Sequence, residues 1–249
     1  MNQQQKSLKV ILIGDICIDE YHYGRVDRLS PEAPVPIFTT ESIEIRQGMA
    51  ANVLNNLEKL GVSVISYFGQ PSTKTRMIDR RSKQHIIRVD RDVESKPLSI
   101  QTKFDQDVDA FVISDYNKGF VSYELVEKII SFGKPVFVDT KKTDLARFQG
   151  AYVKINANEY DQAKTYCDNI IITQGDKGAR FNDKIYPAAK LEITDVCGAG
   201  DTFLSALCYF YFNADSIDRA IELAISAASC TVKHVGVYAP SFEEILWND

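Results

Sequence analysis

Asp195-Val196-Cys197-Gly198-Ala199-Gly200-Asp201, running directly into the apolar stretch Thr202 to Phe212, is the segment on which the reading of this chain turns. Two glycines flank one alanine and end on an aspartate where a long helix-forming run begins. A glycine turn at a helix start points several backbone N–H groups, and the positive end of the helix dipole, at one spot. An aspartate there is either an ordinary helix cap or a base that takes a proton from an attacking hydroxyl while a phosphoryl group is held beside it. The short pattern alone does not separate these two readings.

Outward from that turn the chain alternates strands and helices. Upstream, strands are expected at Lys9 to Ile13, Val62 to Phe68, Ala110 to Ser114, Val136 to Asp139, Ala151 to Ile155 and Ile170 to Thr173. Helices are expected at Ala50 to Leu60, stopped by Gly61, at Tyr123 to Phe132 and at Glu159 to Tyr166. Two hairpin-like segments, Ala179 to Phe181 and Lys184 to Tyr186, lead into the glycine turn, and Thr202 to Phe212 and Ile217 to Lys233 follow as long helices. Short apolar strands alternating with helices predict a three-layer α/β/α domain with a mainly parallel central sheet. Residues 20–47 and 75–92 have another texture: apolar and polar residues alternate, and Pro31, Pro34 and Pro36 break the first stretch. That pattern predicts a small antiparallel β lid outside the core. A single domain covering 1–249, with that lid formed by about 20–47 and 75–92, is the expected organisation.

Composition narrows the function classes. A net charge of −5 argues against nucleic acid or an anionic membrane surface as the main partner. No apolar run reaches the length of a membrane span, and Met1 to Lys9 is polar, without a leader core. The five cysteines (Cys17, Cys167, Cys197, Cys208, Cys230) are odd in number, scattered and free of CxxC spacing. They read as reduced thiols in a cytoplasmic chain, with no zinc site or disulfide frame.

On a sheet of this kind ligands bind beyond the carboxyl ends of the strands. Those ends carry Gly14-Asp15 with Asp19 behind, Ser114-Asp115, Asp139-Thr140-Lys141, Asn156 with Glu159 one turn on, and Thr173 with Gly175. Any one of them is commonly a cap or turn former. Five acidic or amide groups along one edge are not asked for by packing, and they suit a polyhydroxylated substrate beside a metal-bound nucleotide.

The chain resembles the ribokinase (PfkB) family of carbohydrate kinases, and within it the D-glycero-β-D-manno-heptose-7-phosphate kinases. The resemblance rests on Gly14-Asp15-Ile16-Cys17-Ile18-Asp19-Glu20-Tyr21, on Arg28-Leu29-Ser30-Pro31-Glu32-Ala33-Pro34-Val35-Pro36, and on Arg46-Gln47-Gly48-Met49-Ala50-Ala51-Asn52-Val53. It continues through Thr75-Arg76, Arg88-Val89-Asp90, Ser114-Asp115-Tyr116-Asn117-Lys118-Gly119, Asp139-Thr140-Lys141 and Asn156-Ala157-Asn158-Glu159 to the opening motif. It implies an ATP- and Mg²⁺-dependent kinase acting on the C1 hydroxyl of a heptose 7-phosphate, or a kinase of another sugar on the same fold. The alternative from another class is a catalytically reduced homologue that binds a sugar, a nucleotide or a partner.

Residue by residue, the resemblance implies that Asp201 is the base and that Gly198, Ala199 and Gly200 form the anion hole. Asp19, Asn52, Gly48 and Asp115 fall on the sugar side, with Asp15 a weaker candidate. Asn156 and Glu159 match the element that positions Mg²⁺, Glu159 through water. Thr173, Gly175 and Gly178 wall the nucleotide site, and Gly236 lies in the loop that covers the adenine. Lys141, Arg76 and Arg88 either meet the substrate's own phosphate or are solvated charges on the flap. The lid is expected to close over the sugar and to pair with a second lid in a homodimer, through Tyr21, Tyr23, Ile37, Phe38 and Ile43.

Three departures from the family pattern stand out. Met49 occupies the place of a second glycine beside Gly48, where its side chain is expected to fill part of the sugar pocket. Cys197 replaces a threonine before the anion hole and is expected to be an inert thiol. Phe68 to Thr73 and Cys167 to Asn169 are short connections where relatives carry further elements. With no nucleotidyltransferase domain after Asp249, the kinase reaction alone is expected.

Overall fold

The computed structural model describes residues 8–247. Residues 1–7, most of the polar Met1 to Lys9 stretch, and Asp249 lie outside the described residues. The chain opens with β1 (Lys9–Gly14), β2 (Ile16–Leu29), β3 (Pro36–Met49), α1 (Ala50–Lys59) and β4 (Ser63–Phe68). It continues through β5 (Ser72–Asp79), β6 (His85–Arg91), β7 (Ala110–Asp115), α2 (Tyr123–Ile130), β8 (Val136–Thr140), β9 (Tyr152–Asn156) and α3 (Ala157–Gln162). It ends with β10 (Ile170–Thr173), β11 (Ala179–Phe181), β12 (Lys184–Tyr186), α4 (Ala199–Asn213), α5 (Ile217–Thr231) and α6 (Phe242–Trp247).

Eight strands form the central sheet in the order β12-β11-β10-β9-β8-β7-β1-β4. From β10 to β4 every neighbour is parallel, and β11 and β12 add an antiparallel edge. Burial on both faces explains why these strands are apolar at nearly every position: all of β7 is buried, and so are five of the six residues of β1. Successive side chains serve opposite layers. Val10 and Leu12 pack with Leu204, Leu207 and Ile221 of α4 and α5, while Ile11 and Ile13 pack with Leu125, Ile129 and Phe148 on the other side.

The two layers are unequal. One holds the long helices α4 and α5 with α1 and α6; the other has only the short α2 and α3, with a 3₁₀ turn at Leu145–Phe148. The segment 92–109 contains no helix or strand, yet Leu98, Phe104 and Val108 from it seal that thin side. Phe104 meets Tyr67, Phe111 and Phe132 edge-on at 5.4 to 6.3 Å, so aromatic area substitutes for missing helices. The direct Phe68-to-Ser72 connection read from the sequence is present.

The lid is a separate four-stranded sheet, β3-β2-β5-β6. Its strands run Ile16–Leu29, Pro36–Met49, Ser72–Asp79 and His85–Arg91, so it starts closer to the core than residues 20 and 75. Pairing register fixes its two faces. On one, Arg46, Asp19, Lys74 and Asp90 form a row beside a second row of Glu44, Tyr21, Arg76 and Arg88. On the other, Ile45, Glu20, Thr75 and Val89 lie beside Ile43, His22, Met77 and Ile87. Tyr21 is therefore corrected from a partner-facing residue to one buried on the inner face. Exposed Ile43, Ile45, Ile87 and Val89 form the outer apolar surface instead.

Two backbone positions, Gly14 and Met49, set the junction between sheet and lid. A Cβ on Gly14 would fall 2.2 Å from the Ser114 carbonyl oxygen, so only glycine lets β1 and β7 pass this closely. At the other end of the lid, Met49 holds φ 60° and ψ −134°, a backbone conformation where glycine is at home and a side chain costs about 1–3 kcal/mol. The glycine geometry is kept although the glycine is gone. Gly14→Ala is expected to lower unfolding free energy by about 2–3 kcal/mol, read from urea denaturation midpoints; an unchanged midpoint would show that the strands can separate freely here.

Candidate active site

Asp201 lies in the first turn of α4, behind Gly198, which caps the helix in the left-handed region at φ 78°. Its carboxylate is buried and held from two sides. Asn52 of α1 donates through Nδ2 to Oδ2 at 2.9 Å, and the Tyr116 hydroxyl donates to Oδ1 at 3.1 Å. Burial pushes the Asp201 carboxyl up to about 6, the nearby Asp139 adds to this, and the Asn52 and Tyr116 bonds and the Lys154 charge pull back. Burial likewise raises the Tyr116 phenol well above its usual value, so it remains a hydrogen-bond donor.

The inner face of the lid brings Asp19 to the same place. Arg76 donates to Asp19 Oδ1 at 2.5 Å, and both side chains are buried. A Cβ on Gly48 would strike Asp19 Oδ2 at 2.3 Å, which is why the lid strand facing Asp19 carries a glycine. Arg46 reaches from the lid to the Val235 carbonyl oxygen at 2.8 Å, and both Arg46 and Arg76 lie 5.0 Å over the Tyr21 ring. Asp195 ties the loops together by accepting from the Cys197 and Gly236 N–H groups. Burial opposes its ionisation, but those N–H groups outweigh burial and hold its carboxyl below the usual range. The Cys197 thiol is pushed up to about 11 by burial, which keeps it protonated and inert at neutral pH.

On the other side of Gly200 opens a cavity of about 610 Å³. Thr173, Gly175 and Gly178 line it, together with Val196, Phe203 and Ile225. Such a slot, apolar along its walls and floored by the start of α4, suits a nucleotide with its base between aliphatic side chains and its phosphates at the helix N-terminus. Gly178, at φ 92°, is required where the loop turns back: a Cβ there would meet the Tyr186 carbonyl oxygen at 2.0 Å.

The chain is similar in sequence and fold to several known proteins. The family model described as pfkB family carbohydrate kinase matches residues 135–244. The bifunctional protein HldE of Nitratiruptor sp. is 30% identical, over 95% of this chain. The chain is similar to the PfkB family of carbohydrate kinases over these residues. The chain spans 64% of the length of that relative, in an alignment of 297 positions against 249 residues, so the relative carries segments absent here. Among solved structures, the ribokinase of Thermotoga maritima superposes with a TM-score of 0.72 at 16% identity, covering 97% of this chain and 99% of its own. Arabidopsis thaliana ribokinase, complexed with ribose and ATP, gives 0.69 at 15% identity over 97% and 98% of the two chains. At those identities the likeness shows the fold, a ribokinase-like three-layer α/β/α.

The fold brings Asp201, Asn52, Gly48, Asp19 and Arg76 together, and places Gly198, Ala199 and Gly200 between them and the cavity. Several expected residues are engaged elsewhere. Asp115 is saturated by Thr140 Oγ1, Lys142 Nζ and the Asn117 N–H, which makes it a loop anchor and leaves no oxygen for a sugar. Asp15 Oδ2 accepts from the N–H groups of Tyr116 and Lys118 and so positions the Tyr116 loop; its Oδ1 is buried without a partner among the described residues. Gly236 packs against Arg46 and Tyr21 of the lid, away from the cavity wall where an adenine-covering residue is expected. Arg88 forms an exposed two-pronged pair with Asp90, and Lys141 pairs with Glu159.

Asn156 and Glu159 form a capping box on α3: Asn156 Oδ1 accepts from the Glu159 N–H, and Glu159 Oε2 accepts from the Asn156 N–H. With Lys141 on its other oxygen, both Glu159 oxygens are engaged within the protein. Among the described residues no three His, Cys, Asp or Glu side chains cluster as a metal cage. That donor set fits an ion carried chiefly by a nucleotide's phosphates, as Mg²⁺ is. Sequence reasoning passed over Tyr116 as a partner of Asp201, and over Lys74 and Lys154 altogether. Lys154 did leave a signal, a charge in the middle of the buried strand Tyr152-Val153-Lys154-Ile155.

Arg76→Ala is expected to cost about 3–5 kcal/mol of stability, because it strands the buried Asp19 carboxylate. Arg88→Ala should cost under about 1 kcal/mol, its pair being exposed. Equal losses for the two in chemical denaturation would contradict the division of roles drawn here.

Proposed function

We propose that this protein is an ATP-dependent sugar-phosphate kinase whose acceptor is the C1 hydroxyl of a heptose 7-phosphate. One observation carries the reading: a buried carboxylate with its pKa raised to about 6 stands at a glycine-capped helix start, between the lid and a nucleotide-sized cavity. The heptose assignment draws on the HldE relative, and the ATP assignment on the cavity and on the ATP-bound plant ribokinase.

In this reading Asp201 accepts the proton of the sugar hydroxyl as its oxygen bonds to the γ-phosphorus. The bond from that phosphorus to the bridging oxygen breaks, and ADP leaves with the electron pair. Asn52 and Tyr116 hold the carboxylate in place, and the N–H groups of Gly198, Ala199 and Gly200 face the charge on the transferring group. Asp19, fixed by Arg76, binds sugar hydroxyls from the lid. Glu159 and Asn156 would hold Mg²⁺ through water, and the ion would supply charge neutralisation on the phosphates. Lys74 is the lid cation best placed for the acceptor's own phosphate: its ammonium lies 5.9 Å over the Tyr116 ring and makes no ion pair among the described residues. Lid closure keeps water from the phosphoryl group.

The outer lid face, with Ile43, Ile45, Ile87 and Val89 exposed in two adjoining rows, supports a homodimer in which two lids cover each other. Among the described residues no helix is long and apolar enough to cross a membrane. Five free thiols fit a reducing compartment, and the cytoplasm is the proposed location.

A panel of phosphorylated heptoses and hexoses, followed by ADP release, tests the reaction. Asp201→Asn should reduce turnover at least about 10⁴-fold with nucleotide affinity retained; near-normal turnover would remove Asp201 as the base. Because the base works ionised, kcat/KM should rise tenfold per pH unit up to about pH 6 and then level. A profile flat down to pH 4.5 contradicts that role. Ile45→Glu should convert a dimer into a monomer in sedimentation experiments; a wild-type protein monomeric at every concentration ends the lid-dimer reading.

A further inference from the structure

Lys154 and Asp139 form a buried ion pair that the proposed chemistry has not used. Lys154 is the central residue of β9; its neighbours Val153 and Ile155 pack into the thin layer, so its side chain runs the opposite way, under α4. The residue is 4% exposed. Its ammonium makes one hydrogen bond, to Asp139 Oδ2 at 2.7 Å, and lies 2.7 Å from where a Cβ on Gly200 would stand. The cation therefore touches the second residue of the helix whose cap is Gly198 and whose third residue is Asp201.

That location is electrostatically wrong for a structural lysine. A helix N-terminus presents unpaired N–H groups and the positive end of the dipole, which favour an anion and disfavour an ammonium. Desolvation adds a further cost, and a buried ion pair is on average no more stabilising than apolar packing of the same volume. Asp139 relieves only part of the mismatch. Its Oδ2 lies 3.7 Å from the same Gly200 point, and its Oδ1 is buried with no partner among the described residues. Two of the three ammonium hydrogens also have no acceptor among the described residues. Burial works to lower the Lys154 pKa, but the charges of Asp139, Glu159 and Asp201 outweigh it and hold the amine protonated. A permanent cation, open hydrogen-bond donors and helix N–H groups converge where only an anion completes them.

We propose that Lys154 is a further catalytic residue, whose ammonium binds the γ-phosphoryl group at Gly200 and stabilises its charge during transfer, with Asp139 as the positioning residue that aims it. The proposal rests on the kinase reading for its chemistry, and it adds no bond-making step: Asp201 still takes the proton, and Lys154 keeps its own. Glycine at 200 is then needed because any side chain would stand between the ammonium and the helix.

The test compares wild type, Lys154→Met and the double variant Asp139→Asn/Lys154→Met by turnover and by binding of ADP and of a non-hydrolysable ATP analogue. The double variant removes both charges, so no unpaired carboxylate is left buried, and it is the protein to measure if the single variant does not fold. Loss of one preorganised donor at a developing charge lowers kcat by roughly 10²–10³-fold, and that is the loss expected here. The ADP dissociation constant should change less than about threefold, while the wild-type preference for the ATP analogue over ADP disappears. Equal weakening of ADP and of the analogue, or unchanged kcat, overturns the proposal and leaves Lys154 a structural cation. The binding arm needs no sugar. If wild type turns over no sugar, the kinase reading fails, while retained discrimination of the γ-phosphate by Lys154 is still decided.

Discussion

The structure is organised around keeping one carboxylate ionisable in a place where water scarcely reaches. Asp201 is buried at the start of α4, and the groups that make this tolerable come from three separate parts of the chain: Asn52 from the helix after the lid, Tyr116 from the loop after β7, and Lys154 from β9. Each donor is itself positioned. Asn56 donates to Asn52, and Asp15 holds the backbone that carries Tyr116. A parallel sheet suits this task, because it delivers the ends of β1, β7, β8 and β9 to one edge with fixed spacing. The cost is a carboxyl raised to about 6, an instability that a general base converts into reactivity.

The lid extends the same logic across the site. One inner row, Arg46, Asp19, Lys74 and Asp90, alternates cation and anion, so charge is balanced along it before any substrate arrives. Its outer rows put exposed Ile43, Ile45, Ile87 and Val89 on the two edge strands, with Glu20, Thr75, His22 and Met77 between them. A thin four-stranded sheet of this kind has no core of its own; it depends on the body beneath and on whatever covers its outer face. Arg46 bonding to Val235, and Gly236 fitting under Arg46, tie the lid to the loop before α6.

Period and composition made the main sheet legible. Apolar runs such as Val10 to Ile13 and Phe111 to Ile113 allow no alternative to burial on two faces, and the alternation in 20–47 marked the lid. Boundaries were less legible. The lid begins at Ile16 because strand pairing continues past the point where the alternation becomes visible, and α3 stops at Gln162 although Glu159 to Tyr166 looked helical. The 3₁₀ turn at Leu145–Phe148 and helix α6 left no clear periodic signal, being too short to show one. Asp115 looked like a ligand because it is acidic and ends a strand, but that description fits an anchor equally well. Only the partners Thr140, Lys142 and Asn117 distinguish the two.

What the sequence determined by itself was the order of elements, the glycine turn before Asp201, and the lid. These are set by local rules: side-chain period, backbone freedom at glycine, and the restrictions of proline. What only the tertiary structure decided was which charges are spent and which remain open. Arg76 is committed to Asp19, Lys141 to Glu159 and Arg88 to Asp90, whereas Lys154 is brought under Gly200 with donors to spare. A side chain's partner depends on where distant strands are laid side by side, and no local pattern encodes that distance.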